Sequence, residues 1–236
     1  MRYIIGIDEV GRGALAGPVT VAAVCIPANR KSQIANRSLG KLKDSKKLSA
    51  KQREVWFEYF DQHPALHYGV ARVFPRQIEK RNISGAANLA ALRAYNKLNS
   101  KFPARLASQR EAGRQIPNSK VFLDGGLYLG NNRRITQNVR RTTQKKFQRK
   151  SALSQRWSAR TIVRGDEKIK AIAAASIIAK VTRDRAMVRL AKAYPQYGFE
   201  IHKGYGTKAH MRAIKRHGPS EAHRSTFLGK HAKIKF

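Results

Sequence analysis

A single cysteine, Cys25, means that no disulfide can close within this 236-residue chain. A disulfide-stapled secreted scaffold is excluded, and a reducing cytoplasm fits. No apolar stretch is long enough to span a bilayer and no signal-peptide pattern is recognised, so a soluble intracellular protein is expected. Acids are the scarcest charged residues: 14 Asp and Glu stand against 49 Lys and Arg, a formal net charge of +35. Such an excess repels itself unless a polyanion is near, which makes nucleic acid the leading partner, ahead of an anionic membrane surface. Scarcity also makes every acid in an apolar setting informative. Hydrophobic residues still make up 42% of the chain, enough for a packed core and too many for a disordered protein. One main domain with a smaller appendage suits the length.

The chain begins with an apolar strand, Tyr3-Ile4-Ile5-Gly6-Ile7, that delivers Asp8 and Glu9 and then the turn Gly11-Arg12-Gly13. Burying such a pair is costly unless a cation or a hydrogen-bond network holds it. The glycines let a backbone approach a ligand closely, and Arg12 offers a planar donor suited to phosphate. A metal site beside a backbone-reading loop is one reading; a strand ending in a salt-bridged turn is the plainer one.

Pro18–Pro27 reads as a second strand hairpinned to the first, with Cys25 as a small core residue. Ser49 caps an expected helix through Asp61 with Val55, Trp56 and Tyr59 on one face. Leu66–Phe74 reads as a strand, and Ser84 as the cap of a long helix to about Leu98. Two short apolar runs, Val121–Leu123 and Ala159–Val163, end at Asp124 and Asp166. A long helix is expected from Glu167 to about Ala193, its alanine-rich start implying close packing on the sheet, and another ends near His217. Strands alternating with helices give an α/β sheet with helices on its faces. Between Asp124 and Asp166 lie eleven Arg or Lys and no acid, a basic insertion at about 131–160 with paired cations such as Arg133-Arg134 and Lys145-Lys146. It is read as an electrostatic clamp for a polyanion, with a solubilising loop as the alternative.

Asp8, Asp124 and Asp166 share one context: each follows an apolar strand and precedes a glycine or a helix start. Groups at strand ends of an open α/β sheet can converge on one crevice. With Glu9 they make four hard oxygen donors and no cysteine cluster, a set that favours Mg²⁺ or Mn²⁺ over zinc. Two such ions can bridge a phosphate, activate a water and stabilise a leaving oxygen. Taken singly, Asp166 is equally a helix cap and Asp124 an Asx-turn residue. Asp184, four residues after Lys180 within the long helix, is explained by an i,i+4 ion pair and is left out of the metal set.

Ile7–Gly13 with Ala16-Gly17-Pro18-Val19 resembles the opening signature of the ribonuclease HII family, the type 2 ribonucleases H. Further blocks follow in order: Asp44–Leu48, Phe122–Gly125, Gly165–Lys168 leading into Ala173–Asp184, His202–Thr207, and the shorter His223–Phe227. The resemblance implies a ribonuclease H-like fold: an α/β protein with a mixed central sheet flanked by helices and a small C-terminal helical appendage. It implies endonucleolytic cleavage of RNA in RNA–DNA hybrids and at single ribonucleotides embedded in duplex DNA, with two divalent ions, Mn²⁺ or Mg²⁺. It assigns metal binding and catalysis to Asp8, Glu9, Asp124 and Asp166. It places the substrate-reading loop on Gly11, Arg12 and Gly13 and a junction-sensing tyrosine on Tyr205, while Lys46, Lys47 and Lys180 are expected phosphate contacts. A catalytic domain over 1–193, an appendage over 194–236, a monomer and a cytoplasmic location complete the expectation.

The chain departs from that pattern in its long basic insertion, at Ala14 and Gly126, and at Ser225-Thr226, none of them a proposed metal ligand. Two other readings stand beside it. Another metal-dependent polynucleotidyl transferase, such as a resolvase, shares clustered acids but does not need the glycine loop with Tyr205. A basic nucleic-acid-packaging protein explains the charge and leaves apolar strands ending in acids without purpose.

Overall fold

Gly6, in the middle of the first strand, sets how closely two layers meet. The computed structural model describes residues 2–28, 39–40, 42, 45–101, 116, 118–129 and 159–231. In it, a Cβ on Gly6 would lie 2.2 Å from the backbone carbon of Ala171, in helix α4 (Lys170–Ala193). That helix therefore rests its backbone directly on the sheet, and its buried Ala171, Ala174 and Ala175 keep the approach close. Gly6→Ala must push the two apart, so a loss of about 3 kcal/mol in urea unfolding is expected. Gly13→Ala, whose Cβ would meet nothing within 4 Å, should leave the urea midpoint nearly unchanged.

The sheet contains β1 (Tyr3–Val10), β2 (Val19–Pro27), β3 (His67–Val73), β4 (Ser119–Asp124) and β5 (Ala159–Ile162). Their spatial order is β3-β2-β1-β4-β5. β1 pairs antiparallel with β2, with Val10 opposite Thr20, and parallel with β4, which pairs parallel with β5. The sheet is mixed, as expected. Alternation along β2 is complete: Val19, Val21, Ala23 and Cys25 face one core, while Ala22, Val24 and Ile26 face the other. The first core is closed by α2 (Pro75–Ser100) and the second by α4 and α1 (Ala50–Gln62). Burial raises the Cys25 thiol to about 12, so it stays protonated and packs as an apolar side chain.

Ser49 caps α1 as expected, in a reciprocal box with Gln52. The buried pair of that helix is Trp56 and Phe60, however, and Val55 is 39% exposed. Spacing of four, rather than adjacency, puts side chains on one helix face. The cap expected at Ser84 is also corrected. α2 begins at Pro75 and is broken at Asn82, which takes φ 58 and ψ 169. Asn82 Oδ1 accepts the N–H of Gly85 at 2.9 Å, so Asn82 caps the second piece and the Ser84 hydroxyl is free for another use. The helix expected from Glu167 is likewise in two parts: one turn, α3 (Gly165–Lys168), stops at the extended Ile169 before α4 begins.

Beyond α4 come α5 (Phe199–His202), α6 (Lys208–His217) and α7 (Ser225–His231). They pack through Phe199, Ile214 and Leu228 onto Leu15, Ala16 and Met187. A chain of imidazoles ties this region together. His210 Nδ1 lies 2.9 Å from the carbonyl of Tyr205, which can only accept, so that nitrogen carries the proton. Its Nε2 then accepts from His223 Nε2 at 3.1 Å, and His223 Nδ1 accepts the N–H of Ser220 at 3.0 Å. Both rings must be neutral for this relay, and burial holds each at about 4. The basic insertion lies outside the described residues, apart from Ala159 and Arg160, which begin β5.

Candidate metal centre

Strand order brings the acids together. β1 and β4 are parallel neighbours with Ile7 opposite Leu123, so Asp8 and Asp124 follow at the same level. β5 lies beside β4, with Ile162 opposite Asp124, and the turn after it delivers Asp166 in α3. One carboxylate oxygen from each of Asp8, Asp124 and Asp166 lies within 4.8 Å of the others. Asp8 is 5% and Asp166 7% exposed.

Burial first, then the charge on Glu9, hold the Asp8 carboxyl well above the usual carboxylate range; Asp124 adds to this and a hydrogen bond from Ser176 opposes it. Ser176 is buried in α4 and lies 2.7 Å from the Ser45 hydroxyl. Asp124 Oδ1 accepts the backbone N–H of Gly165 at 2.7 Å. These partners aim the carboxylates, and sequence reasoning missed them. The signal for Ser176 was a lone hydroxyl in a run of alanine and isoleucine.

Glu9 stands apart from the triad. Successive strand residues point to opposite faces, so Asp8 turns toward α4 and Glu9 toward α2. There Arg12 meets Glu9 at 3.1 Å and donates through its other terminal nitrogen to Ser84 Oγ at 3.0 Å. Arg12, read as a phosphate donor, is thus engaged with a carboxylate. Burial raises the Glu9 pKa, against the hydrogen bond and charge of Arg12. Its second oxygen, Oε2, is buried with no hydrogen-bond partner among the described residues.

This donor set fits a hard divalent cation. Three carboxylates converge, neither Asp8 nor Asp124 has a basic ion-pair partner among the described residues, and Glu9, whose charge acts on Asp8, keeps a buried oxygen without a hydrogen-bond partner among them.

On the substrate side, Gly11 takes φ +84, and a Cβ there would lie 2.1 Å from Arg183 Nε, so the position accepts only glycine. Gly13 is exposed at the rim. Tyr205 is half-buried with the Arg183 guanidinium 5.3 Å and Lys180 Nζ 5.9 Å from its ring centre. Lys180 also pairs with Asp184 at 2.9 Å, the ion pair expected from their spacing. Lys47 pairs with Glu167 at 2.9 Å, and Lys46 is exposed beside it.

The model of the family described as Ribonuclease HII matches residues 5–231. The ribonuclease HII of Anaplasma marginale is 38% identical over 227 residues, covering 96% of this chain and 74% of that protein. That of Shewanella pealeana is 40% identical over 222 residues, covering 94% and 86%. The crystal structure of ribonuclease H2 from Pyrococcus horikoshii superposes with a TM-score of 0.62 at 25% identity, covering 98% of this chain and 97% of that one. Bst-RNase HIII in complex with Mn²⁺ superposes with a TM-score of 0.60 at 19% identity over 99% of this chain and 71% of that one, a likeness of fold. A match of this length, joined to an acid triad at the ends of parallel strands, places the chain in the ribonuclease HII family of metal-dependent endoribonucleases, which cleave the RNA strand of RNA–DNA hybrids.

Proposed function

We propose that this protein also nicks duplex DNA at a single embedded ribonucleotide, hydrolysing the phosphodiester with two divalent ions, Mg²⁺ or Mn²⁺. The observation that carries the reading is the Asp8–Asp124–Asp166 triad lying next to a glycine loop with an exposed rim. Asp8, Asp124 and Asp166 would hold the ions, with Glu9 contributing through Oε2. When bound, such ions supply Lewis-acid stabilisation of the phosphate and its leaving oxygen, and a water that ionises near neutral pH.

The chain's own groups do the rest. Ser176 and the Gly165 N–H fix the directions of the Asp8 and Asp124 carboxylates, and Arg12 restrains Glu9. RNA differs from DNA at a given position by the 2′-hydroxyl, so ribose selection needs polar groups at close range. Gly13, exposed with open space where a Cβ would lie, allows that approach, while Gly11 lets the loop close over Arg183. Tyr205, backed by Arg183, has a ring available to stack on the neighbouring sugar or base, while Lys46, Lys47 and Lys180 supply positive potential for phosphates. A catalytic domain over 1–193 with a substrate-binding appendage over 194–236, a monomeric state and a cytoplasmic location belong to this reading. The lone buried Cys25 supports the location, and no helix among the described residues is long and apolar enough to cross a membrane.

The test is duplex DNA carrying one ribonucleotide, incubated with Mg²⁺, Mn²⁺ or chelator. Nicking beside the ribonucleotide with either metal and none with chelator is expected; intact substrate in all three removes the proposal. Tyr205→Ala should reduce cleavage at the isolated ribonucleotide more than within a long RNA tract, because one junction leaves no alternative register. Equal losses in single-turnover assays on the two substrates would make Tyr205 structural.

A further inference from the structure

Two arginines, Arg183 and Arg224, are fully buried behind the glycine loop, and neither forms an ion pair among the described residues. A guanidinium removed from water without a counter-charge is costly unless its N–H groups find acceptors. Arg224 finds them on one loop. Its Nη2 donates to the carbonyls of Gly11 and Gly17, both at 2.8 Å, its Nη1 to that of Arg12 at 3.0 Å, and its Nε to Gly17 at 3.1 Å. Its backbone N–H donates to Leu15, and Gly17 donates to Ala222, each at 2.8 Å, so residues 222–224 are stitched to residues 15–17. Arg183 fills the space under Gly11 and donates to the carbonyls of Pro18 and Ala16. Burial and the nearby Arg183 lower Arg224 to about 9, which leaves it charged at neutral pH.

We propose that Arg224 is a positioning residue for ribose recognition: by holding the Gly11 and Arg12 carbonyls inward, it turns the N–H groups of Arg12 and Gly13 outward, toward the substrate's 2′-hydroxyl. A trans peptide is planar, with its C=O and N–H on opposite sides. Capturing the carbonyl of residue 11 therefore aims the N–H of residue 12, and capturing that of residue 12 aims the N–H of residue 13. Neither N–H has an acceptor among the described residues, and the space a Gly13 Cβ would take is open to 4 Å. A lysine cannot substitute, because an ammonium is a point donor without the fork that spans three carbonyls. The inference rests on the proposed reading of ribonucleotide recognition.

The test compares the full-length protein with Arg224→Lys, measuring affinity in EDTA for a duplex with one ribonucleotide and for the same duplex in all-DNA form. The wild type should prefer the ribonucleotide. The variant should lose about tenfold of that preference while all-DNA affinity stays within about twofold, since the loss is of hydrogen bonds to one hydroxyl. A variant that keeps the wild-type preference, however unstable it is, overturns the role of Arg224 alone. A wild type without any preference overturns the reading of ribonucleotide recognition as well. Amide hydrogen exchange on the wild type covers the case in which Arg224→Lys does not fold. Arg12 and Gly13 amides should gain protection with the ribonucleotide duplex and not with all-DNA, and equal protection overturns the proposal.

Discussion

Asp124→Asn is expected to lower the single-turnover cleavage rate about a thousandfold, the scale on which removing one preorganised electrostatic contact acts. Asp166→Asn should do the same. In both, size is kept and the charge that would hold a divalent ion in the transition state is lost. In the first variant the new carboxamide oxygen can still accept the Gly165 N–H, so the turn after β5 should keep its shape. Hybrid binding, which depends on phosphate contacts from basic residues, should change little. The measurement is a pair of titrations, rate against Mn²⁺ and affinity for an RNA–DNA hybrid. Near-wild-type rates at saturating Mn²⁺ in either variant would remove that aspartate from the centre.

Asp8→Asn should stabilise the metal-free protein while abolishing its activity. The folded state holds the Asp8 carboxyl well above its ordinary range, first through burial and then through Glu9, so the native protein favours the protonated form. A raised acid contributes stability that is present below the unfolded pKa, about 3.9, and is lost as pH rises through the folded value. At neutral pH the native triad therefore carries an ionisation that the unfolded chain tolerates better. Asparagine has nothing to ionise, so its advantage should be absent near pH 3.5, grow as pH rises, and reach about 1–2 kcal/mol at pH 7.5. Mn²⁺ should reverse the order, because an ion that binds only the folded wild type stabilises it by mass action. Urea midpoints in EDTA and in Mn²⁺ across this range decide the matter. A variant less stable than wild type in EDTA at pH 7.5 would mean that a cationic group already compensates Asp8.

The elements were legible where local interactions govern them. The Ser49 cap, the apolar run that makes a strand of Val19–Pro27 and the Lys180–Asp184 pair all depend on residues within a few positions of each other. The acids were legible for a related reason: a carboxylate at the end of an apolar strand is conspicuous in a chain with only 14 acids. The cap of α2 was misplaced at Ser84, two residues beyond the residue that serves. Asn82 accepts the Gly85 N–H and caps the second piece of the helix, while the Ser84 hydroxyl is taken by Arg12, 72 residues away.

By itself the sequence determined the α/β class, the strands that carry Asp8 and Asp124 and the one that leads to Asp166, and the glycines at which backbone must come close. The tertiary structure decided which of these groups meet. β4 and β5 could reach β1 only by long-range pairing, and that pairing, not any spacing, brought three carboxylates within 4.8 Å. It left Glu9 on the other face with Arg12, and it set Arg224 against the carbonyls of Gly11, Arg12 and Gly17, more than two hundred residues away. Propensity and capping act over a turn of chain, whereas convergence of charges is fixed by strand order and by which buried donors find carbonyls.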